Sequence, residues 1–285
     1  MILIVESGST KTAWRLIKDP TSPYESFSSV GINPYYETSA EIVASQGKVL
    51  AGFTGIPIQA VFYYGTGVTG DVQREIIAEA FRPFFANSCT LEIQNDLIAA
   101  ARSLCGKASG VACILGTGSN SGFWDGTQIS AQRPPLGFWL GDEGSGGHLG
   151  KSLVLGYLHG QMPIELRAVF EKRFGVLDRL AVLDKAYKKA FPNRWFASFS
   201  KFLFDHRKEA FCYSLIEKSF DSFISLYLKG YEDAERQTFH FTGSVAFYYS
   251  DILKKVMKKN ALKLGHISEE PMAGLCLYHK GEFWP

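Results

Sequence analysis

Two segments of this chain carry the same pattern. Residues 2–5 (ILIV) form a short apolar run, which ends in Glu6-Ser7-Gly8-Ser9-Thr10-Lys11-Thr12 and resumes from Ala13 to Lys18. Residues 110–115 (GVACIL) end in Gly116-Thr117-Gly118-Ser119 and resume from Ser121 to Trp124, before the turn Asp125-Gly126. A short apolar run bounded by turn residues reads as a buried strand, and two such runs around a Gly/Ser/Thr turn read as a hairpin. The hairpin recurs about half a chain apart. The likeness is too faint to be a sequence repeat, but it points to two related half-domains meeting near residues 105–110, where Gly106, Ser109 and Gly110 supply a hinge.

The remaining pattern fits an α/β chain. Residues 40–52 and 70–86 have helical spacing, the second opened by Thr69-Gly70-Asp71, and Asp19 to Pro23 is a loop. Residues 59–64 and Leu91 to Gln94 read as strands, followed by a helix from Asp96 to Cys105. Beyond residue 147 the spacing predicts helices over roughly 147–160, 163–174, 178–190, 206–229 and 245–259, with a strand from Phe239 to Thr242. The division expected is residues 1–106 and residues 107–285, the second part enlarged by helices, and 285 residues are ample for a sizeable core.

Charge narrows the partners. A net charge of +2 gives no field that would gather nucleic acid or a membrane surface, so neither is expected as a partner. The stretch Lys254 to Lys259 lies on a helical pattern and reads as a solvated helix face. The five cysteines form no CxxC pair, which fits reduced thiols rather than a disulfide framework or metal site. Met1 runs straight into an apolar strand without a basic leader, and no apolar run is long enough to cross a bilayer; the expected location is the cytoplasm.

Five places could carry chemistry. The turns at Glu6–Thr12 and Gly116–Asn120 each follow a buried strand, and their backbone N–H groups and hydroxyls suit phosphate oxygens. Neither is a P-loop, and each alone would pass for a plain hairpin; together they could clamp a polyphosphate. Asn95-Asp96 opens an alanine-rich helix. A helix cap would account for Asp96 on its own, and the functional alternative is a carboxylate that accepts a proton from a substrate hydroxyl. Gly137 to Gly147 (GFWLGDEGSGG) sets Asp142 and Glu143 among glycines, a density that suggests backbone approaching a ligand closely. Its acids could receive sugar hydroxyls or orient hydrated Mg²⁺, and a flexible loop before a capped helix is the plain reading. Finally, Phe241 to Ala246 (FTGSVA) runs from strand through a small-residue turn into a helix, either an ordinary junction or a seat for a planar, neutral group.

The collinear order SGSTKT (7–12), YYGTG (63–67), ND (95–96), LGTGSN (115–120), LGDEGSG (140–146) and FTGSVA (241–246) resembles the BadF/BadG/BcrA/BcrD-type ATPase family, in the branch that includes N-acetylglucosamine kinases, within the actin/Hsp70/hexokinase superfamily. The resemblance covers the whole chain. It implies two ribonuclease-H-like domains of α/β class, with ATP and Mg²⁺ in the cleft between them. It further implies phosphate turns at Gly8, Ser9, Thr10 and Lys11 and at Gly116, Thr117, Gly118 and Ser119, with an adenosine motif at Thr242, Gly243 and Ser244. Asp96 falls on the family's catalytic base, and Glu6 on the residue that orients Mg²⁺. Asn33, Asn120 and Asp142 fall where the kinases contact the sugar, and Asn95 and Gly137 complete the substrate set. The segment Pro271 to Tyr278 matches the last helix, which returns to the first domain.

Three departures from the family pattern stand out: Glu6 where Asp is common, Pro134-Pro135-Leu136-Gly137 where GGWG is common, and Thr66 where a small residue is usual. The expected activity is transfer of the γ-phosphoryl group of ATP to an amino-sugar hydroxyl, with room for a homodimer. The alternatives are an ATPase that activates a partner reductase or dehydratase, and a non-catalytic sugar or nucleotide sensor.

Overall fold

The faint hairpin likeness is the surface trace of one sheet topology used twice. The computed structural model describes residues 1–8 and 10–284, and the chain divides into two units: Met1–Ala108 with the segment from Pro271 onward, and Ser109–Glu270.

In the first unit, β1 (Ile2–Ser7) pairs antiparallel with β2 (Lys11–Ile17), and β2 with β3 (Glu25–Val30). Helix α1 (Ser39–Ala51) leads to β4 (Ala60–Gly65), and α2 (Asp71–Phe81) to β5 (Thr90–Asn95); both strands are parallel to β1, giving the order β3-β2-β1-β4-β5. Helix α3 (Asp96–Cys105) closes this half of the chain. Side chains alternate across the sheet as a two-residue period requires. Leu3, Val5, Trp14, Leu16, Val61 and Tyr63 bury into one core with Ile77 and Phe81, where the rings of Trp14 and Phe81 stack at 5.7 Å. Ile2, Ile4, Ala13, Ile17 and Tyr64 bury into another with Ala99 and the C-terminal helix Met272–Phe283.

That C-terminal helix is fastened by polar groups as well as apolar ones. The Arg102 Nη1 donates to the Tyr64 hydroxyl and to Glu92 Oε1, both at 2.6 Å, and the Tyr64 hydroxyl meets His279 Nε2 at 2.7 Å. His279 is 2% exposed and stacks on Phe62 at 3.8 Å. Burial and the nearby Arg102 push its pKa down to about 3, so it is neutral there.

The second unit repeats the order. Strands β6 (Gly110–Leu115), β7 (Ser119–Trp124) and β8 (Ile129–Gln132) form the antiparallel part. Helices α4 (Gly137–Leu140), α5 (Gly146–Leu158), α6 (Ile164–Phe174), α7 (Arg179–Tyr187), α8 (Pro192–Ala197), α9 (Ser200–Asp205) and α10 (Ala210–Leu226) follow. Strand β9 (Thr238–Thr242), helices α11 (Ser244–Tyr248) and α12 (Ser250–Lys259), and strand β10 (Lys263–Ser268) complete the sheet β10-β9-β6-β7-β8, with β6, β9 and β10 parallel. The core is aromatic, with Phe170, Phe202, Phe220, Phe223, Phe239 and Phe241 fully buried. Gly150 of α5 is required where the helix meets α8, because a Cβ there would overlap the carbonyl of Phe196.

Several sequence expectations are corrected here. The helix read over 245–259 is two helices broken at Tyr249, that over 206–229 begins at Ala210, and the loop read over 137–147 contains α4. Strands β3, β8 and β10 were not expected. All three lie at or next to sheet edges; β3 and β8 are mostly exposed, and β10 carries an irregular register around Gly265. The Lys254–Lys259 lysines do face solvent, while Ile252, Leu253, Val256 and Met257 bury the other face of α12. Among the described residues no helix is long and apolar enough to cross a membrane.

Candidate active site

The parallel strands of the first unit end in register. Ser7 of β1 pairs with Gly65 of β4, and Gly65 with Asn95 of β5. The residues that follow, Gly8, Thr66 and Asp96, therefore leave the same carboxyl edge of the sheet, where open α/β sheets place their ligands.

Each is held by its neighbours. The first turn closes with Gly8 N–H donating to the Lys11 carbonyl at 3.0 Å, and leaves Thr10 and Lys11 exposed. Ser9, also assigned to this turn, lies outside the described residues. Beneath the turn, the buried Ser7 hydroxyl meets the Thr12 hydroxyl at 2.8 Å, and Thr12 donates to the Val30 carbonyl at 2.8 Å. Either hydroxyl can donate within that pair, since Thr12 also reaches the Val30 carbonyl and Ser7 the Ile32 carbonyl at 3.4 Å. Ser7 Oγ in turn accepts Ile32 N–H at 2.8 Å, which binds the loop carrying Asn33 to the turn. Asn33 is braced from two sides: its N–H donates to Glu37 Oε2 at 2.6 Å, and its Oδ1 accepts Tyr35 N–H at 3.1 Å. Gly67, at φ 79°, lies against the same Oδ1, where a Cβ would overlap it.

Asn95 and Asp96 divide the work that the sequence left open. Asn95 is the N-cap of α3, accepting Ile98 N–H at 2.9 Å through its Oδ1. That explains the Asn as a structural residue and leaves Asp96, in the first turn, without the capping task. Desolvation pushes the Asp96 carboxyl above the usual carboxylate range, against the pull of the Leu97 N–H and its own. A carboxylate raised in this way is a better proton acceptor than an ordinary aspartate. Glu6 is half-buried on β1 beside Tyr64 of β4. Among the described residues no three His, Cys, Asp or Glu side chains gather to hold a metal ion. One carboxylate suits Mg²⁺ where phosphates and waters supply the remaining ligands.

The second unit gathers three of the motifs at the carboxyl ends of β6 and β9. Gly116 N–H closes the second turn on the Gly118 carbonyl at 3.0 Å. The first amides of α5 reach back to it: Gly146 N–H donates to the Gly116 carbonyl at 2.8 Å, and Gly147 N–H to the Thr117 carbonyl at 3.0 Å. Asp142, 7% exposed, accepts Ser119 N–H at 3.2 Å and lies against Gly118. Its backbone sits at φ 63°, a left-handed conformation rare outside glycine, of the kind that concentrates at functional sites. Burial raises its carboxyl above the usual range, and neighbouring Glu143 adds to the rise.

At the third motif Gly243 has φ 115° and packs on the Leu115 carbonyl, so that a side chain there would collide with the end of β6. Its N–H donates to the Ser268 carbonyl at 3.1 Å, and Ser268 Oγ donates to the buried Thr242 Oγ1 at 3.0 Å. Ser244 is exposed at the start of α11. Asn120 Oδ1 accepts from Ser121 N–H and Gln132 Nε2. Gly137 is exposed at the start of α4, with nothing against it.

Two residues at this site escaped the sequence reading. Lys151 donates to the Phe138 carbonyl at 3.1 Å and offsets the charges of Asp142 and Glu143; burial lowers its own pKa. Its one sequence signal is a lone lysine inside the mostly apolar, glycine-rich helix α5. Tyr227 donates to Glu143 Oε2 at 2.9 Å from 84 residues away, which no local pattern could announce.

No protein-family model and no curated protein matches the chain. Among solved structures, 99% of it superimposes on the whole of the "putative N-acetylglucosamine kinase" from Porphyromonas gingivalis, at 39% identity and a TM-score of 0.90. A protein of the same description from Chromobacterium violaceum shares 18% identity and a TM-score of 0.72, over 97% of this chain and 98% of that one. A ROK family glucokinase from Streptomyces griseus, solved with glucose and AMPPNP, shares 14% identity and a TM-score of 0.52, over 99% of this chain and 98% of that one. The last two bear on the fold alone, which is that of the actin-like ATPase sugar kinases. With 39% identity over nearly its full length, the chain belongs to the family of the "putative N-acetylglucosamine kinase" of Porphyromonas gingivalis.

Proposed function

We propose that this chain is an ATP-dependent sugar kinase of the N-acetylglucosamine kinase branch of the BadF/BadG/BcrA/BcrD-type ATPases, with an amino sugar as acceptor. The observation that carries the reading is the shared carboxyl edge of β1, β4 and β5. The turn at Gly8–Lys11 and Asp96 leave that one edge of a single sheet, which supports a phosphate-binding role for the turn and a proton-accepting role for the aspartate.

In the reaction, the acceptor oxygen forms a bond to the γ-phosphorus while the bond from that phosphorus to the bridging oxygen of ADP breaks. Asp96 takes the proton of the acceptor hydroxyl. The N–H groups of the turns at Gly8–Lys11 and Gly116–Ser119 hold phosphate oxygens, which is most of what a protein contributes to phosphoryl transfer. Mg²⁺ would neutralise charge on the phosphates, with Glu6 to hold it through water. Asn33, Asn120 and Asp142 take the sugar hydroxyls, and Thr242 to Ser244 the adenosine. The names of the structural relatives support the sugar and the nucleotide.

The test is ADP release with MgATP across a panel of amino and neutral sugars, beside a control without sugar. Release that depends on N-acetylglucosamine or a close amino sugar establishes the reading. Release independent of every sugar, or none at all, overturns it.

A further inference from the structure

Thr66 stands at the centre of the edge just described, and no role has been given to it. Its strand, β4, lies between β1 and β5, so Thr66 is flanked by Gly8 on one side and Asp96 on the other. Neighbouring strands are roughly 5 Å apart, so the turn and the aspartate are separated by about 10 Å with Thr66 between them. In the proposed reaction the phosphoryl group would cross this space from a nucleotide on the turn to an acceptor hydroxyl beside Asp96.

Three restraints fix the threonine there. Its N–H donates to the Ser7 carbonyl at 3.1 Å. Before it, Gly65 covers the Tyr63 hydroxyl so closely that a Cβ would overlap it. After it, Gly67 turns at φ 79° against the Asn33 side chain. The Thr66 side chain is half-buried, and its hydroxyl makes no hydrogen bond with any described residue. A hydroxyl on a backbone fixed in this way, left without a bond to any described residue and carried on the strand between turn and aspartate, is suited to act as a preorganised hydrogen-bond donor.

We propose that Thr66 is a further catalytic residue, whose hydroxyl donates to an oxygen of the phosphoryl group in transit. The proposal rests on the kinase reading and on Asp96 as the base. Because the bond is made to the group in flight, its loss lowers kcat and leaves both Michaelis constants little changed.

The test compares Thr66→Val, which keeps the shape and removes the hydroxyl, with Thr66→Ser, which keeps the hydroxyl and removes the methyl. Both retain the backbone bond to Ser7. We expect Thr66→Val to lose about 10²-fold in kcat with near-native KM for ATP and sugar, and Thr66→Ser to keep most of the native kcat. Equal losses in the two variants would make Thr66 a matter of shape and overturn the proposal. So would a raised sugar KM at native kcat, which would make it a sugar contact. A Thr66→Val enzyme as fast as the native one overturns this inference alone. Native protein that shows no sugar-dependent ADP release overturns the kinase reading, and this inference falls with it.

Discussion

The carboxylate of Asp142 accepts the backbone N–H of Ser119 at 3.2 Å, so a residue assigned to the sugar also fastens the turn assigned to a phosphate. The same residue keeps a left-handed backbone at φ 63°. Asparagine tolerates that conformation and can still accept the N–H, whereas alanine does neither. We expect Asp142→Asn to fold with near-native stability and raise the sugar KM. Asp142→Ala should cost about 1–3 kcal/mol in stability as well. Thermal denaturation and sugar titration of the pair separate the two roles; equal stability of the variants would deny Asp142 the structural one.

Asp96 supplies a second prediction, in which stability and activity move in opposite directions. Its carboxyl is raised above the usual range because the folded protein desolvates it. A raised carboxylate holds its proton more tightly in the folded state, so stability falls as pH rises through that pKa and the charge is forced on the site. The neutral isostere in Asp96→Asn should therefore raise the melting temperature at pH 7 while lowering kcat by roughly 10²–10⁴-fold. ATP binding should persist. In the native enzyme kcat should fall on the acid side at a pH above that of an ordinary aspartate. An unchanged kcat in Asp96→Asn would remove Asp96 from the role of base.

Gly67 and Asn33 supply a third. A Cβ at position 67 would overlap Asn33 Oδ1, and the backbone there is at φ 79°. Gly67→Ala should displace Asn33 and raise the sugar KM about tenfold, which a loss of roughly 1.4 kcal/mol of binding would produce. The ATP KM should stay near its native value, since the role proposed for Asn33 is contact with the sugar. Equal rises in both constants would point to general damage to the edge instead.

Legibility in the sequence followed burial. Strands β1, β4 and β6 are covered on both faces and read as apolar runs, and the paired hairpins showed through because both units reuse one topology. The edge strands β3 and β8 lack such runs: Glu25 to Val30 is mostly polar and exposed, and nothing in a two-residue period marks it. At the site, the glycines at 116, 118, 146 and 147 were visible, but their reason was not. The turn and the start of α5 bond to each other across some thirty residues. Asn95 and Asp96 show the limit most sharply. Both are favoured at helix starts, and it took the bond from Ile98 N–H to Asn95 Oδ1 to tell the cap from its neighbour.

The last prediction concerns the fastening of the C-terminal helix. His279 is buried against Phe62, with Tyr64, Tyr278 and the Arg102–Glu92 pair around it, and its pKa drops from 6.5 to about 3. In the unfolded chain the same histidine takes up a proton near pH 6.5. The folded state cannot follow until about pH 3, so stability conferred by the neutral ring is intact above pH 6.5 and drains away as pH falls below it. At pH 5 this loss amounts to roughly 2 kcal/mol. His279→Gln keeps a polar side chain but does not titrate. It should be less stable than the native protein at pH 7.5, through the lost stacking on Phe62, and the gap should narrow steadily down to pH 5. Carboxylates titrate alike in both proteins and cancel in the difference. Melting temperatures of the two at pH 7.5, 6 and 5 decide the matter: a gap that stays constant would mean that His279 titrates normally in the folded chain.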